Sequence, residues 1–125
     1  MKEVIISDKA PRPVGPYSQA IKVGNLIFVA GQAAIDPKTG EIVNGGIKEQ
    51  TQQTFRNIEA ILKTAGLTLE HVVKVSVFLK NISDYKMMNE VYATLFKRDP
   101  PARTTVQANL PLEGILIEAD AVAAL

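Results

Sequence analysis

Residues 47–80 read IKEQTQQTFRNIEAILKTAGLTLEHVVKVSVFLK, and the change of period inside this stretch decides the fold. Its first half spaces Ile47, Thr51, Phe55, Ile58, Leu62 and Ala65 at steps of three and four, which places them on one face of an amphipathic helix. Gly66 follows as the stop, because a residue without Cβ enters the left-handed region that ends helices with little strain. From residue 72 to 80 the period falls to two. Val73, Val75, Val77 and Leu79 make an apolar face, while Val72, Lys74, Ser76, Phe78 and Lys80 make a mixed one. A helix that hands over to a half-apolar strand predicts an α+β fold, with helices covering one side of a sheet.

Toward the C-terminus, Ser83 is expected to cap a second helix that runs to about Phe96, with Ile82, Tyr85, Met88, Tyr92, Leu95 and Phe96 on its buried side. Asp99-Pro100-Pro101 ends it, and strands are expected over 103–108 and 115–122. Toward the N-terminus, Val4-Ile5-Ile6 reads as a short strand. Residues 20–23 and 26–30 read as a hairpin turning at Gly24-Asn25. Asp36-Pro-Lys-Thr-Gly40 is a turn, with a further short strand expected over 41–43. The last strand repeats the asymmetry of the fourth: Ile115, Ile117, Ala119 and Ala121 are apolar, whereas Leu116, Glu118, Asp120 and Val122 are mixed. Two helices then cover one face of a five- or six-stranded sheet, and the other face carries Phe78, Leu116 and Val122 into water. Such a patch predicts an oligomer that closes the mixed faces together.

At 125 residues without a break in composition, one domain spanning 1–125 is expected. There is no cysteine, hence no disulfide, thiolate metal site or cysteine nucleophile. No apolar run approaches the roughly 20 residues of a membrane span, and the N-terminal apolar run is too short for a signal peptide. These features predict a soluble, cytoplasmic protein with no membrane partner. Fourteen Lys and Arg against 13 Asp and Glu leave a formal charge of +1, which generates no field to attract nucleic acid.

The chemical inventory is short. A single histidine, His71, begins a strand and reads as an ordinary turn residue; His-based metal sites and Ser-His devices lack their parts. Gly45-Gly46 precedes a helix without any Gly-x-x-x-x-Gly-Lys pattern and reads as a plain cap. What remains is a cation and a carboxylate. Arg103 stands where Pro100-Pro101 deliver the chain into a strand, sharing a face with Thr105 and opposed to Thr104 and Val106. A guanidinium held there suits two-point capture of a carboxylate. Glu118 lies on the mixed face of an apolar strand, an expensive place for a charge unless it is paired or useful. For both residues a structural salt bridge is the competing reading. Tyr17, fixed by Pro16, could line a pocket or fill a core; Gly31 could admit a ligand to bare backbone or mark a bulge.

Gly15-Pro-Tyr-Ser-Gln-Ala20, Phe28-Val-Ala-Gly-Gln32, Asp36-Pro-Lys-Thr-Gly-Glu41, Gln53-Thr-Phe-Arg-Asn-Ile58 and Pro101-Ala-Arg-Thr-Thr-Val106 leading to Ile117-Glu118-Ala119 occur in this order. Over essentially the whole chain the order resembles the reactive intermediate/imine deaminase A family, also known as the YjgF/YER057c/UK114 family. The resemblance implies a chorismate-mutase-like fold, a mixed sheet with two helices on one face, assembled as a homotrimer with clefts between subunits. It implies hydrolysis of 2-aminoacrylate and 2-iminobutanoate to 2-keto acids and ammonia. Such imines are released by pyridoxal-phosphate-dependent dehydratases, which connects the activity to metabolite damage control and isoleucine biosynthesis. It also implies that no cofactor or metal is used.

By the same resemblance, Arg103 clamps the substrate carboxylate and Glu118 polarises the attacking water. Tyr17 walls the pocket from a neighbouring subunit, Asn89 adds a polar side chain, and the backbones of Gly31 and Thr105 meet substrate or water. This chain departs from many relatives in carrying Thr105 in place of a cysteine, Ala30 in place of a serine and Ala119 in place of a larger residue. The alternatives are a non-catalytic ligand-binding or chaperone-like trimer and a ribonuclease or translation inhibitor.

Overall fold

In the computed structural model, which describes residues Met1–Leu125, the period change at residue 66 is the hinge of the architecture. Helix α1 (Ile47–Thr64) buries Ile47, Thr51, Phe55, Ile58 and Leu62, the stripe expected from the spacing, and adds Ile61 and Asn57. It stops at Gly66, whose φ of 80° lets its N–H reach the Lys63 carbonyl while the Leu67 N–H reaches that of Leu62. At its start, Glu49 reaches back to accept the Gly46 N–H at 2.8 Å, which holds its carboxyl below the usual range.

Six strands form one sheet: β1 (Lys2–Ile5), β2 (Ala20–Val23), β3 (Leu26–Ala33), β4 (Val72–Leu79), β5 (Ala102–Gln107) and β6 (Ile117–Ala124). Their spatial order is β1-β2-β3-β6-β4-β5, antiparallel throughout except for the parallel β4–β5 pair. The last strand therefore inserts between β3 and β4. β2 and β3 form the expected hairpin at Gly24-Asn25, with Gly24 at a φ of 57°. Ile27, Val29, Val75, Val77, Leu79, Ile117, Ala119, Ala121 and Ala123 point to the helix side and are buried. Helix α2 (Tyr85–Leu95) packs beside α1. Phe55 meets Tyr92 and Phe96 edge-on, with ring centroids 5.5 and 5.6 Å apart, and so ties the two helices together.

Several expectations change. The apolar face of β4 does not include Val73: a register shift between Val72 and Lys74 against β6 turns Val72 into the core and leaves Val73 exposed. Ser83 does not cap α2. It sits in a one-turn 3₁₀ helix, Ile82–Asp84, closed by the Asp84 N–H on the Asn81 carbonyl, and α2 starts after it with no side-chain cap. The tight turn leaves Ile82 and Tyr85 exposed rather than buried. No strand forms over 41–43; a single bridge joins Ile35 and Ile42, because the Asp36–Gly40 turn leaves only that contact. Ile115 is buried but precedes β6, and Leu116 packs against the core. The uncovered sheet face instead centres on Phe28, 45% exposed, with Phe78 and Val122 half-buried beside it.

Candidate functional site

The cation and the carboxylate singled out above end up on opposite faces of the sheet. Arg103 is in register with Val75 and Thr105 with Val77, both buried on the helix side. Glu118 is in register with Phe78 on the uncovered side, between the buried Ile117 and Ala119. Neither has an ion-pair partner: the one salt bridge in the chain joins Lys63 to Glu59. A salt bridge within the chain therefore does not account for either residue.

Around Glu118 lies a cavity of about 580 Å³ whose walls include Tyr17, Gly31, Phe78 and Asp120. Desolvation raises the Glu118 pKa above its ordinary value, and the neighbouring Asp120 charge adds to the effect. Gly31 is where β3 bulges, between Val29 and Gln32 in its pairing with β6. A Cβ at residue 31 would stand 3.2 Å from the Glu118 carboxyl carbon, so the glycine leaves the carboxylate its room. Gly31 is thus the bulge that was one reading of it, and its bare backbone borders the cavity. Tyr17 is exposed at the cavity wall, its hydroxyl accepting the Val14 N–H at 3.3 Å.

The segment that carries Tyr17 is held by a buried amide. Gln19 accepts the Ser7 N–H at 2.7 Å and donates to the carbonyls of Ser7 and Pro11 at 3.1 and 2.9 Å. Asn57 on α1 does the same for the end of β3, donating to the Ala33 and Ile35 carbonyls at 3.0 and 2.9 Å. Gln50 binds the Gly114 carbonyl and the Leu116 N–H, which fixes the approach to β6. Sequence reading missed these three amides; for Gln50 and Asn57 the available signal was polarity beside the apolar stripe of α1, and for Gln19, in the bend before β2, there was none.

On the helix side, Arg103 shares a shallow hollow with Ile82, Tyr85 and Thr105. Its guanidinium carbon lies 4.6 Å from the Tyr92 ring centre and 5.6 Å from that of Tyr85. Nη2 donates to the Tyr85 hydroxyl at 3.1 Å. Burial pushes the Tyr92 phenol up against the opposing influence of Arg103. Asn89, half-buried one turn beyond Tyr85, and then Arg103 hold the Tyr85 phenol below its ordinary pKa. The Thr105 hydroxyl oxygen is buried without a partner. Of the two tyrosines expected in the core, Tyr92 is buried there and Tyr85 is exposed; the spacing 85, 89, 92 puts both on one helix face with Asn89. His71 accepts the Thr68 N–H at 3.1 Å through Nδ1, the turn role expected of it. No cluster of three His, Cys, Asp or Glu side chains suited to a metal forms anywhere, and no helix is long and apolar enough to cross a membrane.

The chain thus presents an unpaired cation beside a partnerless hydroxyl on one sheet face and, in a cavity on the other, an unpaired carboxylate whose pKa is raised. Known proteins with this architecture are close in sequence. A RutC family protein of Pyrococcus horikoshii is 55% identical over 98% of this chain and 98% of its own length. The human 2-iminobutanoate/2-iminopropanoate deaminase is 42% identical over 98% of this chain and 90% of its own length. The crystal structure of Escherichia coli TdcF with bound serine superposes with a TM-score of 0.93 at 32% identity, covering 98% of both chains. The profile of the family described as Endoribonuclease L-PSP matches residues 7–125. The chain therefore belongs to that family, the YjgF or reactive intermediate/imine deaminase A family that its ordered motifs resembled.

Proposed function

We propose that the chain hydrolyses small 2-imino acids to 2-keto acids and ammonia, in clefts that two copies of the chain complete together. The observation that carries this reading is the placement of Arg103 and Glu118 on opposite sheet faces, each without a charged partner. A cleft holding both needs the Arg103 face of one copy against the Glu118 face of another. A closed homotrimer supplies three such clefts, and the apolar face around Phe28 provides surface for that contact. The deaminase name of the human relative and the serine bound to TdcF support a small amino-acid-like ligand.

The chemistry asked of the site is modest. Arg103 holds the substrate carboxylate through two parallel N–H bonds. The imine carbon is already electrophilic. A water whose proton passes to the Glu118 carboxylate forms the C–O bond, and that proton is then delivered to nitrogen, giving a carbinolamine. Collapse of the carbinolamine breaks the C–N bond, releases ammonia and leaves the 2-keto acid, with Glu118 again moving the hydroxyl proton. A raised pKa suits a carboxyl that must both accept and return a proton. No step needs a metal or an organic cofactor. Substrates of this class are short-lived products of dehydratases acting on serine and threonine, so a cytoplasmic location beside such enzymes fits the activity.

Complementation tests the shared cleft directly. Arg103→Ala and Glu118→Gln are each expected to abolish hydrolysis of imine generated in situ by a threonine dehydratase. Mixed in equal amounts, unfolded and refolded together, they should recover activity, because roughly a quarter of clefts then combine two intact halves. No recovery, with mixed assemblies demonstrated, would exclude a cleft built from two copies. A non-catalytic ligand trap predicts no hydrolysis by the unaltered protein at all.

A further inference from the structure

We propose that Tyr85 is the positioning residue that aims Arg103 at the substrate carboxylate, an inference that rests on the function proposed above. Arg103 has no carboxylate partner in the chain, so something else must hold a long, flexible side chain in one pose. Two tyrosines of one helix face do so in different ways. The Tyr92 ring covers the guanidinium at 4.6 Å, an attraction that sets the height of the plane but not its rotation. The Tyr85 hydroxyl accepts from Nη2 at 3.1 Å and fixes that rotation. With Nη2 anchored by one hydrogen, the other guanidinium donors remain to form the fork that a carboxylate needs.

The placement of Tyr85 also argues for function over packing. Its side chain is 42% exposed, unlike Met88, Val91 and Tyr92 further along the helix, which are buried. It sits at the rim of the hollow that holds Arg103 and Thr105. It gets there because the 3₁₀ turn Ile82–Asp84 precedes α2 and leaves Tyr85 as the first residue of the helix, directed to the edge strand rather than into the core. The phenol is thus turned to Arg103, with Asn89 of the same helix face beside it, and a hydrogen bond to a charged group at a half-exposed site still restricts its geometry.

Tyr85→Phe isolates this role, since it keeps the ring and removes only the acceptor. The expected result is a KM for imine raised about three- to tenfold with kcat within about twofold, because the ground state and transition state share the carboxylate contact. Binding of pyruvate should weaken by the same factor, while the melting temperature stays put. A readout independent of turnover is the ¹⁵N spectrum of the Arg103 guanidinium in the intact assembly. Separate Nη resonances in the unaltered protein should merge in the Phe variant as rotation about Cζ–Nε becomes free. Unchanged KM and pyruvate affinity in the Phe variant overturn the proposal even if its melting temperature falls. Absence of both hydrolysis and pyruvate binding in the unaltered protein instead overturns the parent function, and Tyr85's role with it.

Discussion

Glu118 is half-buried in a cavity, without a cation to pair with, and its pKa is raised first by desolvation and then by Asp120. The sign of this shift separates catalysis from structure. The folded chain holds the Glu118 proton more tightly than the unfolded chain, so this group favours folding at pH below the ordinary value of 4.5. That contribution is lost as pH rises from there through the elevated folded pKa, and above it the ionised carboxylate is a net cost. Glu118→Gln should therefore leave the melting temperature at neutral pH unchanged or higher, whereas a structural ion pair would make it fall. Turnover should drop about 10²–10⁴-fold, since the amide accepts no proton. The acid limb of kcat/KM in the unaltered protein should lie above the ordinary carboxylate range. Thermal melts and pH–rate profiles on one preparation check all three, and a lower melting temperature with normal turnover would defeat the proton-transfer role.

Between the elements, stability and site geometry depend on buried amides as much as on the apolar stripe. Asn57 is fully enclosed on α1 and bonds two carbonyls where β3 leaves the sheet, two and four residues beyond Gly31. Asn57→Ala leaves the part-buried Ile35 carbonyl unpaired, while that of Ala33 keeps the Ile35 N–H, a loss of about 1–3 kcal/mol. Denaturant titration should show the midpoint falling by the corresponding amount with the slope m unchanged; a loss below about 0.5 kcal/mol would mean that water replaces the amide. The helical period of α1 was legible because apolar residues recur within one turn of each other. The stitching role of Asn57 was not, since its partners lie more than twenty residues back on another element. Val73 failed for a similar reason: strict alternation assumes an unbroken ladder, and the bulge against β6 shifts the register by one residue.

For the whole molecule, the uncovered sheet face is the deciding feature. Phe28 stands in register with Ile21 and Val122 on that face and is 45% exposed in the single chain. Phe28→Asp should leave the chain folded but monomeric and without imine hydrolysis, because it places a charge where the second copy would sit. Light scattering at micromolar concentration together with circular dichroism would show this. A stable assembly of the Asp variant would place the interface elsewhere. A monomeric unaltered protein would remove the shared cleft.

By itself, the amino-acid sequence determined the α+β class, the extent of α1, the β2–β3 hairpin, the sharing of one strand face by Arg103 and Thr105, and, through the order of its motifs, the family. All of these rest on residues near each other in the chain or on their order along it. Only the tertiary structure decided that β6 enters between β3 and β4, that Leu116 turns to the core, and that Arg103 and Glu118 face away from each other. The alternation within a strand says which residues share its faces, but not which of those faces meets the helices. That parity is set by pairing register between strands far apart in sequence, and it is the reason Arg103 and Glu118 stand on opposite faces of one sheet.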